Sequence, residues 1–209
     1  MKIIIKILIA YLTSFFLFSS AINADESYFT KLQTSKVNIE FSTIEGVNLK
    51  DVFKDELEFN EFIFGRNFGD AFVEIGYGVT ETGRKNLVNF SSNSITFNLD
   101  SLIKLRSKKI GLGYNYDLGD KMKLTPVINY RHIEYDASFE TGFSIVGSGT
   151  FAGSATTTES ESAFDVGVGF TYGITENSNL GITYSTTLYD NISDTESMSM
   201  FGLTFELRH

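Results

Sequence analysis

The feature that most restricts this chain is a repeat of two residues. Val37, Ile39 and Phe41 alternate with Lys36, Asn38, Glu40 and Ser42. Ala71, Val73, Ile75, Tyr77 and Val79 alternate with Glu74, Gly76, Gly78 and Thr80. Five more segments behave alike, led by Ile110, Leu112, Tyr114 and Tyr116; by Leu124, Pro126, Ile128 and Tyr130; and by Phe164, Val166, Val168, Phe170 and Tyr172. The last two carry Leu180, Ile182, Tyr184 and Leu188, then Phe201, Leu203, Phe205 and Leu207. A strand sends successive side chains to opposite faces, whereas a helix repeats every 3.6 residues, so these are strands. An eighth segment, 57–68, is apolar on both parities: either Phe62, Phe64 and Phe68 or Leu57, Phe59 and Ile63 form its apolar face. A bulge is expected there.

The connections alternate in length. Residues 67–70, 118–120 and 175–178 are tight polar turns with hairpin chemistry. Residues 44–56, 81–101, 137–162 and 189–197 are long and polar, and 147–153 reads as part of an external loop rather than a phosphate loop, since its spacing is wrong and no helix pattern follows. Eight strands joined this way describe an all-β, closed, up-and-down antiparallel barrel.

The polar face decides what surrounds it. A soluble barrel would crowd that face with Lys and Glu, but the segments led by Phe164 and by Leu180 oppose their apolar residues with Gly, Thr and Ser, Asp165 being the one charge. Small uncharged residues suit a narrow filled interior. The apolar sets carry no charge, as lipid contact demands, because a charge at the bilayer midplane costs about 2–4 kcal/mol. Tyr77, Tyr114, Tyr116, Tyr130, Tyr172 and Tyr184 fall toward strand ends, where interfacial aromatics belong. The expectation is a transmembrane β-barrel, with a soluble ligand-binding barrel as the alternative.

The chain opens as an export signal would. Lys2 and Lys6 precede an apolar run from Ile7 to Phe18, followed by the small residues Ser19, Ser20, Ala21 and Ala24. That core is shorter than the ~20 residues of a spanning helix. Residues 1–24 are expected to be a signal peptide and 25–209 the barrel domain, with cleavage after Ala24 or, alternatively, Ala21. Removing 1–24 takes two lysines and no acid, moving the formal charge from −9 to −11. Such a charge argues against a nucleic-acid partner. With no cysteine and two histidines, thiol chemistry and Cys- or His-rich metal sites are excluded.

Gly111-Leu-Gly113-Tyr114-Asn-Tyr116 before a turn resembles the strand ends of small outer-membrane barrels of the protein A and protein X type. So do the stretch from Gly167 to Tyr184 and the closing strand Phe201 to His209. The resemblance implies insertion by the barrel-assembly machinery, which in that family reads the last strand, here Phe201, Leu203, Phe205, Leu207 and His209. It departs from that family in ending on histidine rather than Phe or Trp.

Candidate sites follow from the charges. Lys109, Arg131 and Asp165 are expected inside the lumen near its outer end, and Glu40, Glu74 and Glu206 lower down; together they read as a polar network, either purely structural or gating a narrow water path. Lys104, Arg106 and Lys108 are expected to form an outward basic stripe that could contact lipopolysaccharide phosphates. Residues 87–99 have a hairpin pattern that would project above the membrane with a partner-capturing edge. The acids Asp190, Asp194, Glu196, Glu159 and Glu161 lack a fixed oxygen-ligand spacing. His132, with Glu134 and Ser138 nearby, is the one catalytic candidate, but the arrangement does not fit a triad. No catalytic residue, cofactor or metal is assigned. The expected role is non-enzymatic: envelope structure and surface interaction, in contact with outer-membrane lipids, lipopolysaccharide and a surface or host ligand. The alternatives are a low-conductance porin-like channel and, third, a lipid A-modifying enzyme.

Overall fold

The computed structural model describes residues 27–41, 43–44, 46–188 and 195–209. The proposed signal peptide lies outside these residues, as do Asp190, Asp194 and the side chain of Glu196. The elements are β1 (Tyr28–Phe41), β2 (Thr43–Ile44), β3 (Val47–Asn48), a one-turn helix α1 (Leu49–Val52), β4 (Glu56–Phe68), β5 (Ala71–Thr80) and β6 (Gly83–Ser91). Then follow β7 (Ile95–Tyr114), β8 (Tyr116–Asp117), β9 (Met122–Ile145), β10 (Gly149–Thr175), β11 (Ser178–Leu188) and β12 (Thr195–Arg208).

Among the described residues, eight of these strands close a ring of antiparallel pairs in the order β1, β4, β5, β7, β9, β10, β11, β12 and back to β1. Closure leaves the spanning backbone no unpaired edge, which hydrocarbon requires. The start of β1, the end of β12 and the three tight turns lie at one end; the backbone amide of His209 donates to the Tyr28 carbonyl (2.8 Å). In membrane barrels that is the periplasmic end.

Three expectations change. Residues 137–162 are not a loop: β9 and β10 run as one long hairpin, paired without a break from Met122↔Tyr172 to Ile145↔Gly149. Threonine and serine are at home in a strand, and Phe139, Thr141, Phe143 and Ile145 keep the two-residue repeat. Gly147 lies in the turn at the tip (φ 84°), while 149–153 belongs to β10. Second, β4 has no bulge, for its register with β1 and with β5 is continuous. Both of its faces are apolar because one meets lipid and the other the core. Third, β1 is turned over: Val37 and Ile39 are buried inside, and Lys36, Asn38 and Glu40 face out.

A band of outward apolar residues rings the barrel. On β10 it runs from Phe164 to Tyr172, nine residues, and at ~3.3 Å per residue and ordinary strand tilt this covers about 23 Å. Above the band β7, β9 and β10 continue, and β6 pairs with β7 from Gly83↔Ile103 to Ser91↔Thr96. These four strands form a sheet that stands clear of the membrane on the outer side.

Candidate functional site: the lumen and the projecting sheet

Inside the lipid band the lumen holds one continuous chain of ion pairs. Asp165 takes Arg131 (2.9 Å), Arg131 also reaches Glu61 (2.8 Å), Glu61 holds Lys109 (3.0 Å), and Lys109 holds Glu74 (2.9 Å). Lys31 bridges Glu74 (3.3 Å) and Glu206 (3.5 Å), and Glu206 ends the chain on Arg208 (3.0 Å) and the amide of Asn179 (2.7 Å). Four acids meet four bases, so the chain has no net charge, and every strand of the ring contributes a member. Ser107 Oγ accepts a further bond from Arg131 (2.8 Å). Such groups persist in a low-dielectric interior when each is paired in this way.

An apolar cluster packs beside the periplasmic end of the chain, and an apolar layer closes its outer side. Toward the periplasm Phe29, Ile63 and Phe72 cluster, with the Lys31 ammonium over the Phe29 and Phe72 rings at 4.4 and 4.7 Å. Toward the outside Val37, Ile39, Leu57, Phe59, Ile103, Leu105, Ile133, Met198 and Met200 fill the barrel. Phe53, just after α1, covers them, its ring between Phe41 and Phe139 at 6.3 and 5.7 Å. The loop carrying it is tied to the projecting sheet by Ser101 Oγ donating to the Val52 carbonyl and by Lys85 Nζ donating to the Lys50 carbonyl. Between chain and barrel wall is a cavity of about 60 Å³ bordered by Lys109, Arg131, Asn129, Thr183 and Thr204. The Asn129 Oδ1 and the hydroxyls of Thr183 and Thr204 have no protein partner among the described residues, which suits a hydrated pocket.

Of the expected network, Glu74, Lys109, Arg131, Asp165 and Glu206 come together in the lumen. Glu40 does not: it faces outward and accepts from Ser197 Oγ (2.6 Å). It sits above the lipid band, where outward residues meet water and the apolar set turns inward, so its alternation reads the opposite way. Glu61, Lys31 and Arg208 were not anticipated. Glu61 shares parity with Leu57, Phe59 and Ile63 within the band, and a carboxylate cannot face lipid cheaply; that argument would have placed it inside and settled which face of β4 is which.

The outward stripe is less free than its sequence suggests. Arg106 is gripped by Asp136 (2.9 Å) and Glu134 (3.5 Å), Lys108 lies 3.6 Å from Glu134, and Lys104 stands across from Asp136. Carboxylates of β9 thus run beside the cations of β7. His132 Nδ1 lies 2.9 Å from Ser162 Oγ across the β9–β10 ladder, while Glu134 turns to the cations instead and Ser138 lies six residues further along β9, against Thr156. Glu161 takes the Tyr135 hydroxyl. The closing strand shows Phe201, Leu203, Phe205 and Leu207 to the lipid side, with His209 near Thr30 (3.3 Å).

The projecting sheet has two unlike faces. Its outer face is polar, with Arg84 pairing Asp100 and Glu140 (both 2.7 Å). Its inner face, continuous with the lumen wall, carries Phe90, Phe97, Phe143 and Phe151 on successive strands at one level, each paired with the next.

A closed ring with lipid-facing aromatics, a filled lumen and long outer strands defines a transmembrane β-barrel of the outer membrane. The comparisons agree. The family described as outer membrane protein beta-barrel domain matches residues 10–205, and the chain belongs to it. Among solved structures, the fold is shared with Ail, the attachment invasion locus protein of Yersinia pestis, in complex with the heparin analogue sucrose octasulfate (12% identity, TM-score 0.50, 88% of this chain and 99% of that one). Also similar are Neisserial surface protein A (13%, TM-score 0.49, 87% and 95%) and OprG of Pseudomonas aeruginosa (12%, TM-score 0.48, 88% and 95%). No curated protein matches by sequence.

Proposed function

We propose that this outer-membrane barrel is a non-enzymatic envelope protein that acts through its projecting sheet. The observation that carries the reading is the contrast between a lumen sealed twice, by a neutral ion chain and by an apolar layer, and four strands displayed well above the lipid. A spanning cylinder with nothing to pass offers its outer surface. The heparin-analogue complex of Ail is in keeping with a surface role for this shape of molecule. Residues 1–24 are the export signal in this reading, and the closing strand from Phe201 to His209 is what the barrel-assembly machinery engages. Lys104, and Lys108 with its exposed ammonium 3.6 Å from a single carboxylate, are the members of the basic stripe that meet lipopolysaccharide phosphates, because Arg106 is held by two carboxylates.

The test is to replace 141–153 by an Asn-Gly turn and assay binding of expressing cells to host-cell and matrix surfaces. The shortened chain keeps its heat-modifiable migration and loses binding. Binding unchanged by the truncation would refute the reading. The cavity of about 60 Å³ favours the conduit as second reading; liposome swelling above the protein-free background would promote it.

A further inference from the structure

The projecting sheet has two edges, and they are built differently. The β6 edge carries Arg84 and Lys85 and a register shift between Asn86 and Val88. Charge and bulges are what discourage strand addition. This edge, in the segment the sequence marked for capture, is therefore protected.

The other edge is β10. From Gly149 to Thr157 it is bonded to β9, and its pairing with β11 begins at Phe164; among the described residues no strand lies against this stretch on its far side. Residues 149–158 contain no charge and no proline, and their register with β9 has no shift. Phe151 ends the aromatic row at this edge, and it is 62% exposed.

We infer that this edge pairs antiparallel with the same edge of a second copy standing in an apposed membrane, about a two-fold axis through Phe151. The inference rests on the surface-interaction reading and names its partner. A second copy fits because the whole chain is acidic, at −9, and an uncharged run of ten residues lets two copies approach without like-charge contact. The copies stand in opposed membranes because upright neighbours in one bilayer point β10 the same way. A two-fold axis along such strands sets like groups against like, whereas opposed copies meet as an antiparallel ladder. The register follows from Phe151: set against its own copy it joins two rows of four rings into one, and directly opposed aromatic pairs stabilise a sheet. Gly149 then faces Gly153, and Thr150 faces Ala152.

The chain has no cysteine, so introduced thiols report without background. Rough Gram-negative cells expressing T150C are mixed with cells expressing A152C under mild oxidation. A disulfide-linked dimer joining the two populations is expected, together with clumping of wild-type cells. Adding Phe151→Lys to both partners sets like charges against each other on the axis; this variant, whose folded heat-modifiable form checks assembly, should lower crosslinking and clumping roughly tenfold. No dimer between populations, dimers confined to one cell, or clumping indifferent to the lysines would overturn the inference. If host-surface binding persists in a chain that does not self-pair, the inference falls and the broader surface role stands; loss of both would remove both.

Discussion

Three inward phenylalanines lie against glycines of the neighbouring strand. Phe29 faces Gly65 and Phe72 faces Gly113 as direct partners, while Phe59 covers Gly78 on the diagonal. A Cβ at any of these glycines would run into the ring's Cζ. Glycine is used there because a flat seat lets a large ring fit a narrow lumen. Gly113→Val should therefore cost about 1–3 kcal/mol through overpacking, with part recovered by adding Phe72→Ala, as read from urea unfolding in lipid vesicles. Arg131 tests the other interior chemistry. Arg131→Ala strands Asp165 as a buried charge and leaves Glu61 to Lys109 alone, and it should cost ~3–5 kcal/mol in the same assay. Replacing Arg131 and Asp165 together by apolar residues of similar volume, which leaves Glu61 on Lys109, should cost far less. The small inward residues and Asp165 were legible in the sequence. The partnership with Glu61 was not, because it crosses the lumen and no local pattern encodes that distance.

At the scale of elements, the informative feature is a change of phase. On β7 Ile110 and Leu112 face out, but Ile103 and Leu105 face in; on β9 Tyr130 faces out and Ile133 in; on β12 Phe201 faces out and Met200 in. No bulge separates them on β7, β9 or β12. Lipid draws apolar residues outward within the band, and water drives them inward above it. The phase change marks the membrane surface on each of these strands. A single rule, apolar outward, consequently reads the lipid band correctly and fails for Val37, Ile39 and Glu40. The projecting strands β9 and β10 stayed hidden for a related reason: sheet exposed to water on one face needs few apolar residues, so Gly, Ser and Thr resembled a loop. One ion cluster pins β6 to this sheet. The Asn86 amide (2.8 Å) and the Arg84 guanidinium (2.7 Å) donate to Asp100 and hold its carboxyl below the usual carboxylate range. A carboxyl more acidic folded than unfolded stabilises fully above its unfolded value, ~4, and the effect is lost as pH falls through the lower folded value. Segment 83–91 should thus resist pepsin down to about pH 4 and become cleavable below it. Asp100→Asn should expose the same segment to trypsin at neutral pH.

For the whole molecule the question is what closes the cylinder. The ion chain and the apolar layer lie in series along the axis, and a water path must pass both. Removing one member of the ion chain leaves the outer layer intact, with Phe53 still between Phe41 and Phe139. Trimming the outer layer leaves eight charges meshed across the lumen. Planar-bilayer recordings should therefore find wild type silent, Arg131→Ala silent, and Phe59→Ala/Leu105→Ala/Ile133→Ala silent or nearly so. Combining the four substitutions removes bulk from both layers at once and should produce discrete openings of small conductance, provided the variant retains its heat-modifiable form. The order matters physically: dewetting of an apolar constriction blocks ions even where the width would admit them, so charge removal alone cannot open the path. Openings from Arg131→Ala by itself would mean that the outer layer is leaky and the ion chain is the gate, which would shift the reading of this barrel from display toward transport.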